Sequence, residues 1–234
     1  VGCLFFCWWH IARLTFPTLT GVVPVLALAV TALPAFAQKR GRILKSTHRD
    51  NPPSASPHEE ATSGTQTPFM AVFNNLVLFK QDERINSMDN IVPDLAKSWA
   101  WNADKTALTF VLNEGVKWHD GKPFTSADVK CTWDLLTEKR PEKLRKNPRQ
   151  AWYMYLDNVT TNGDYEVTFN LKRTQPAFIA LLAAGYSPVY PCHVPPAKMR
   201  TQPVGTGPFK FVAMKMNESI KLTKNKEYLK PGLP

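Results

Sequence analysis

The chain has 234 residues, 44% of them hydrophobic and 11% aromatic, which is enough apolar material for a packed core of one or two domains and excludes a disordered chain. Lysine and arginine number 29 against 19 aspartates and glutamates, a formal charge of +10. Much of that excess sits in residues 139–149, where Pro141 and Pro148 break a mixture of Lys, Arg and Glu; without a basic face interleaved with aromatics, nucleic acid is excluded as a partner and a solvated surface is expected, with attraction to anionic lipid or an acidic ligand as the second reading.

Residues 11–37 carry one charge, Arg13, then an apolar run through Val22, Val23, Val25, Leu26, Leu28 and Val30 that closes on Ala35-Phe36-Ala37. This predicts a secretory signal cleaved after Ala37, since Pro24 and Pro34 interrupt the run too soon for a permanent membrane span. Residues 1–10 form an atypical upstream extension, and Cys3 and Cys7 leave with the signal. Cys131 and Cys192 then remain in an oxidising compartment, an even count that admits either a disulfide or two small buried apolar side chains.

After the signal, residues 42–46 predict a first strand, and residues 48–66 a polar loop rich in Pro, Ser and Thr, of a kind that is usually functional or flexible. Phe69, Val72, Phe73 and Leu76 fall at i, i+3, i+4 and i+7, the core face of a helix over residues 68–78. Thr106, Leu108, Phe110 and Leu112 share one face of a strand, and the apolar Ala107 and Val111 predict burial of the other face too. Asp120-Gly121 is a turn dipeptide. Thr125-Ser126-Ala127-Asp128 fits a capping box, with Val129, Trp133 and Leu136 following at helical spacing. Asn162-Gly163 signals a hairpin whose second strand turns Tyr165, Val167, Phe169 and Leu171 inward and Glu166, Thr168 and Asn170 to water. Residues 176–184 predict a short apolar helix with proline in its first turn and Gly185 at its end. Residues 186–194 run extended. In Gly205-Thr206-Gly207-Pro208-Phe209 the glycines permit a tight turn and close approach to a ligand or another strand, ahead of a hairpin formed by residues 211–216 and 220–224. That corner lacks the Gly-Lys-Ser/Thr end of a phosphate loop.

For catalysis the best candidates are His58 with Glu59 and Glu60, and His119 with Asp120, as a general base or metal pair. Neither has a nucleophile at a recognisable elbow or a second histidine at i, i+4, so no enzyme, metal site or cofactor is expected. His119-Asp120 reads as an ordinary turn.

The block over residues 91–129 has a distinctive order: Val92-Pro93-Asp94-Leu95-Ala96, the pair Trp99 and Trp101, the strand at 106–112, the Trp118-His119-Asp120-Gly121 corner and the capped helix. It resembles the family 5 extracytoplasmic solute-binding proteins of ABC transporters, the group that carries oligopeptides, dipeptides and nickel chelates. The Gly205-Thr206-Gly207-Pro208-Phe209 corner is similar to one that precedes a hairpin in the same proteins. The resemblance implies an α/β fold of the type II periplasmic-binding-protein class. It assigns residues 38–78 and 173–234 to a first lobe and residues 79–172 to an inserted mixed subdomain, and it treats residues 51–58 as the first strand and its loop. Family members are much longer, and this chain stops where they cross into a second lobe, so the second lobe is expected to be absent and tight ligand binding with it. The implied role is capture of peptides or similar small solutes in the periplasm for a membrane permease, with a nickel or metal-chelate binder, or a non-binding fragment, as the alternatives. By position beside the family's cleft, the implied contacts are Thr62, Ser63, Gly64 and Thr67, Tyr186 and Ser187, and Thr206 and Gly207.

Overall fold

The computed structural model describes residues 43–230. The expected signal with its Ala35-Phe36-Ala37 site, Cys3, Cys7 and Arg42 lie outside the described residues. Everything below concerns the compact unit that begins at Ser46.

No strand forms at residues 43–46, nor at 51–58. Residues 54–60 are instead a buried, irregular segment, and it is pinned by charge rather than by a ladder. The Glu59 carboxylate, with no side-chain exposure, accepts two hydrogen bonds from Arg200, at 2.6 and 2.8 Å, and one from the Arg145 backbone N–H at 2.7 Å. Glu60 takes Ser54 at 2.9 Å and Arg145 at 2.5 Å. Arg149 donates to the Pro57 carbonyl at 2.7 Å and the Glu60 carbonyl at 2.8 Å. A polar composition that suggests a functional or flexible loop therefore builds a buried ionic network, because the buried carboxylates are given partners.

Helix α1 spans Ser63–Phe69 and continues as a 3-10 turn over Met70–Val72. The expected helix at 68–78 is thus placed one to two turns too late. Phe73 is already extended, at φ −116° and ψ 165°. The Asn75 amide is spent on the Leu182 and Ala184 carbonyls, at 3.1 and 2.6 Å, which holds this segment against the next layer instead of in a helix. Phe69, Val72, Phe73 and Leu76 are nevertheless all buried. The spacing identified the right core residues on the wrong element.

Strands β1 (Val77–Phe79) and β2 (Ile91–Pro93) pair antiparallel. Next come β3 (Ala96–Trp101) and β4 (Ala107–Leu112), then helix α2 (Ser126–Leu136). Its capping box forms as the sequence indicates, Asp128 Oδ2 accepting from the Thr125 backbone N–H at 3.0 Å. Strands β5 (Leu156–Thr161) and β6 (Glu166–Leu171) complete a four-stranded antiparallel sheet in the order β3-β4-β6-β5. Gly163 takes the left-handed φ of +64° in a four-residue connection closed by Asn162 N–H to the Glu166 carbonyl at 3.0 Å. One face of this sheet is core: Leu108, Phe110, Val167 and Phe169 are fully buried. Trp133 of α2 meets Phe169 edge-on at 4.9 Å. The other face of β4 is only half-buried, not closed over as Ala107 and Val111 suggest, and there the Thr109 and Thr168 hydroxyls pair at 2.8 Å.

Helix α3 (Phe178–Ala183) packs on the same core, Phe178 lying 5.7 Å from Phe169. A short α4 (Pro196–Met199), not signalled by the sequence, precedes the hairpin of β7 (Phe209–Lys215) and β8 (Ser219–Lys224). That hairpin leans on a second buried cluster built from Phe69, Val72, Phe73, Tyr190 and Met199. The main cluster runs continuously from Leu76 and Leu95 through the sheet to Phe178 and Val189, so residues on both sides of position 173 share one core. Cys131 on α2 and Cys192 form a disulfide with their Cα atoms 5.6 Å apart.

Candidate ligand-binding site

A cavity of about 650 Å³ opens beside the 3-10 turn, between Met70 to Asn75 on one side and Ala183 to Tyr186 on the other, with Lys80, Gln81 and Tyr228 at its margins. Its floor is set by Asn74. The Asn74 amide donates to both oxygens of Asp94, at 2.9 and 3.0 Å, and to the Tyr228 hydroxyl at 3.2 Å, while its own oxygen accepts from Thr206 at 3.0 Å. Asp94 also accepts the Asn75 backbone N–H at 3.0 Å and pairs with Lys230 at 2.8 Å. Burial pushes the Asp94 carboxyl above the ordinary range, and Lys230 is the main opposing influence. The result is a floor whose polar groups are satisfied internally. Along its wall the buried Gln66 donates its amide N–H groups to the Pro57 and Glu60 carbonyls, at 2.8 and 3.2 Å, and leaves its oxygen without a bond. The exposed Gln81 donates to the Phe79 carbonyl at 2.5 Å, and Tyr186 is half-buried.

The sequence-derived contacts separate into two sets. Thr62, Ser63 and Thr67 are exposed at and along α1, the helix whose Gln66 lines the cavity. Gly64 is buried, and a side chain there would meet Asp50 at 3.0 Å. Tyr186 lines the cavity itself. Ser187, Thr206 and Gly207 are buried and committed to internal bonds. The Ser187 hydroxyl donates to the Leu181 carbonyl at 2.6 Å and receives the Tyr153 hydroxyl at 2.8 Å. Gly207 donates its N–H to the Val72 carbonyl at 3.0 Å.

The Gly205 to Gly207 corner meets protein backbone. A Cβ on Gly205 would stand 1.9 Å from the Val72 carbonyl oxygen, and one on Gly207 would stand 2.5 Å from that of Ala71. These glycines exist to let two chain segments touch. His119 locks the corner in place: its backbone N–H donates to the Gly205 carbonyl at 2.8 Å, and its ring Nε2–H donates to the Gly207 carbonyl at 3.0 Å. Burial lowers the His119 pKa, consistent with a neutral ring in this role.

The residues considered for catalysis are used structurally. His58 Nε2–H donates to the Pro188 carbonyl at 2.7 Å, and complete burial brings its pKa down to about 3. Glu59 and Glu60 are held by the arginines described above. Asp120 pairs with His193 at 2.7 Å and not with His119. Among the described residues no three His, Cys, Asp or Glu side chains are grouped to hold a metal ion. Asn74, Asn75 and Tyr228 were not identified from sequence as site residues; the adjacent Asn74-Asn75 pair inside an apolar run was the available signal, since buried amides need partners.

The profile of the bacterial extracellular solute-binding proteins, family 5, middle region, matches residues 90–234. A putative ABC transporter peptide-binding protein of Brucella ovis is 32% identical over 178 residues, covering 72% of this chain and 32% of that protein. The oligopeptide-binding protein AppA of Bacillus subtilis is 34% identical over 161 residues, covering 64% of this chain and 28% of its own length. The solved structure of AppA in complex with a nonapeptide superposes with a TM-score of 0.65 at 28% identity, covering 76% of this chain and 35% of that one. The chain therefore spans about a third of the length of the relatives it matches. With the profile matching more than half of its residues, the chain belongs to the family 5 bacterial extracellular solute-binding proteins.

Proposed function

We propose that the chain is part of the substrate-binding component of an ABC import system that captures peptides or similar small solutes outside the cytoplasm and delivers them to a membrane permease. The observation that carries this reading is the cavity beside α1 and Tyr186, in a fold whose similar relatives are named for peptide binding. A peptide suits it chemically. The cavity wall offers the unbonded Gln66 oxygen and the Tyr186 phenol, groups of the kind that satisfy a peptide backbone, and the space admits waters around variable side chains. On this reading Gln66 and Tyr186 border the ligand, Thr62, Ser63, Gly64 and Thr67 belong to the helix that carries Gln66 without lining the cavity, and Ser187, Thr206 and Gly207 hold the wall from behind.

In the same proposal residues 38–78 and 173–234 form one lobe around an inserted subdomain at 79–172. The opposite wall comes from the part of the relatives' length that this chain does not span. No catalytic step is assigned, and export involves cleavage after Ala37. Titration calorimetry against a pool of di- to pentapeptides tests the reading. The chain joined to the remaining two thirds of AppA should bind with a micromolar or lower Kd, about 8 kcal/mol or more, and the chain alone should bind far more weakly. Tight binding of a nickel–histidine chelate with none of peptides would contradict it.

A further inference from the structure

The Cys131–Cys192 bridge stands apart from the cavity, and its surroundings differ from those of an inert staple. Cys131 is 7% exposed on α2, whereas Cys192 is on the surface. The Arg140 guanidinium reaches both sulfurs: Nη1 lies against Cys131 Sγ and 3.8 Å from Cys192 Sγ. Its ion-pair partner, Glu142, bonds Nε at 3.2 Å, leaving Nη1 turned to the sulfurs. The two segments are also held without the bridge. Thr132 Oγ1 accepts the Tyr190 N–H at 2.9 Å, and Asp128 Oδ1 accepts the Cys192 N–H at 2.8 Å.

We propose that this bridge is a thiol–disulfide exchange site, opened by a dithiol reductant that attacks Cys192 with Cys131 departing as the thiolate. The reductant's thiolate forms a new S–S bond to Cys192 Sγ as the Cys131–Cys192 bond breaks, and the released electron pair stays on Cys131 Sγ beside the Arg140 cation. The second thiol of the reductant, as thiolate, then attacks the reductant's own sulfur in the mixed disulfide. Cys192 is released as a thiolate and takes a proton from water. The dithiol is oxidised to a disulfide and the bridge is reduced to two cysteines. A cation at the departing sulfur stabilises its developing negative charge, and a better leaving thiolate departs faster. Burial of Cys131 directs the attack to Cys192.

The test is the initial rate of reduction of the folded chain by dithiothreitol, with Arg140→Gln and Arg140→Lys alongside and circular dichroism as the check on folding. Arg140→Gln should be reduced roughly tenfold more slowly, and Arg140→Lys, which keeps a cation, should recover much of that rate. An unchanged or faster rate in Arg140→Gln would overturn the proposal. A measurement on the unaltered chain decides the direction of attack: a monothiol should be trapped by acid quench and mass spectrometry on Cys192, and a predominant adduct on Cys131 would equally overturn it.

Discussion

Replacing Gly205 by alanine should be among the most damaging single-methyl additions in this chain. The backbone at Gly205 is outside the left-handed region, so the cost is steric and not conformational. The added Cβ would lie 1.9 Å from the Val72 carbonyl oxygen, 2.8 Å from its carbon and 3.1 Å from the Phe73 ring. Two of those atoms are backbone, so relief requires one segment to withdraw by more than about 1 Å from an interior packed as tightly as a crystal. Withdrawal breaks the Gly207 N–H bond to the Val72 carbonyl, at 3.0 Å, and strains the His119 N–H bond to the Gly205 carbonyl, at 2.8 Å. At about 1 kcal/mol for each bond and 1–3 kcal/mol for overpacking, the loss is roughly 3–5 kcal/mol. Urea denaturation measures it. Gly185→Ala is the control, because its Cβ would meet only the end of the Met70 side chain, at 2.8 Å, which can swing away. A Gly205→Ala stability within 1 kcal/mol of the parent would refute the steric account of this corner.

Other consequences follow from the buried charges and from the proposed leader. His58 has its pKa lowered from 6.5 to about 3, so its contribution is complete above pH 6.5 and is lost as pH falls toward 3. At pH 5 this amounts to about 2 kcal/mol relative to pH 7, and His58→Gln should lack that slope in denaturation at the two pH values; an equal slope in the variant would assign it elsewhere. Glu59→Gln leaves Arg200 without its bidentate carboxylate and should cost about 3 kcal/mol by the same assay, with no change expected if the network is merely superficial. Mass spectrometry of exported protein should find Gln38 at the N-terminus, whereas Val1 to Ala37 retained in a membrane fraction would remove the signal assignment.

What the sequence made legible was mostly local chemistry. The Thr125 to Asp128 capping box and the left-handed Gly163 involve neighbours in the chain, so four adjacent residues carry the information. The core alternation of β4 and β6 is similarly written in two-residue steps. The helix at 68–78 was misplaced because its break depends on Asn75 bonding to carbonyls more than 100 residues away, which no window contains. Residues 54–60 read as part of a polar, functional or flexible loop because Arg145, Arg149 and Arg200, which make their burial possible, arrive much later in the chain. The site divides on the same line. Of the positions read beside the cleft, Tyr186 lines the cavity and Thr62, Ser63 and Thr67 lie on the exposed surface of α1 outside its lining, while the burial of Thr206 and Ser187 depends on their distant partners Asn74 and Tyr153.

The central claim is that peptides are captured at the cavity between α1 and Tyr186. Backbone amide chemical-shift mapping of the chain with a millimolar di- to pentapeptide pool tests it directly, since weak binding suffices for the measurement. Shifts should concentrate at Gln66, Met70 to Asn75, Gln81 and Tyr186, and be reduced in Tyr186→Ala, whose fold should be intact. Shifts confined to other surfaces, or none at a concentration that saturates a full-length relative, would contradict it.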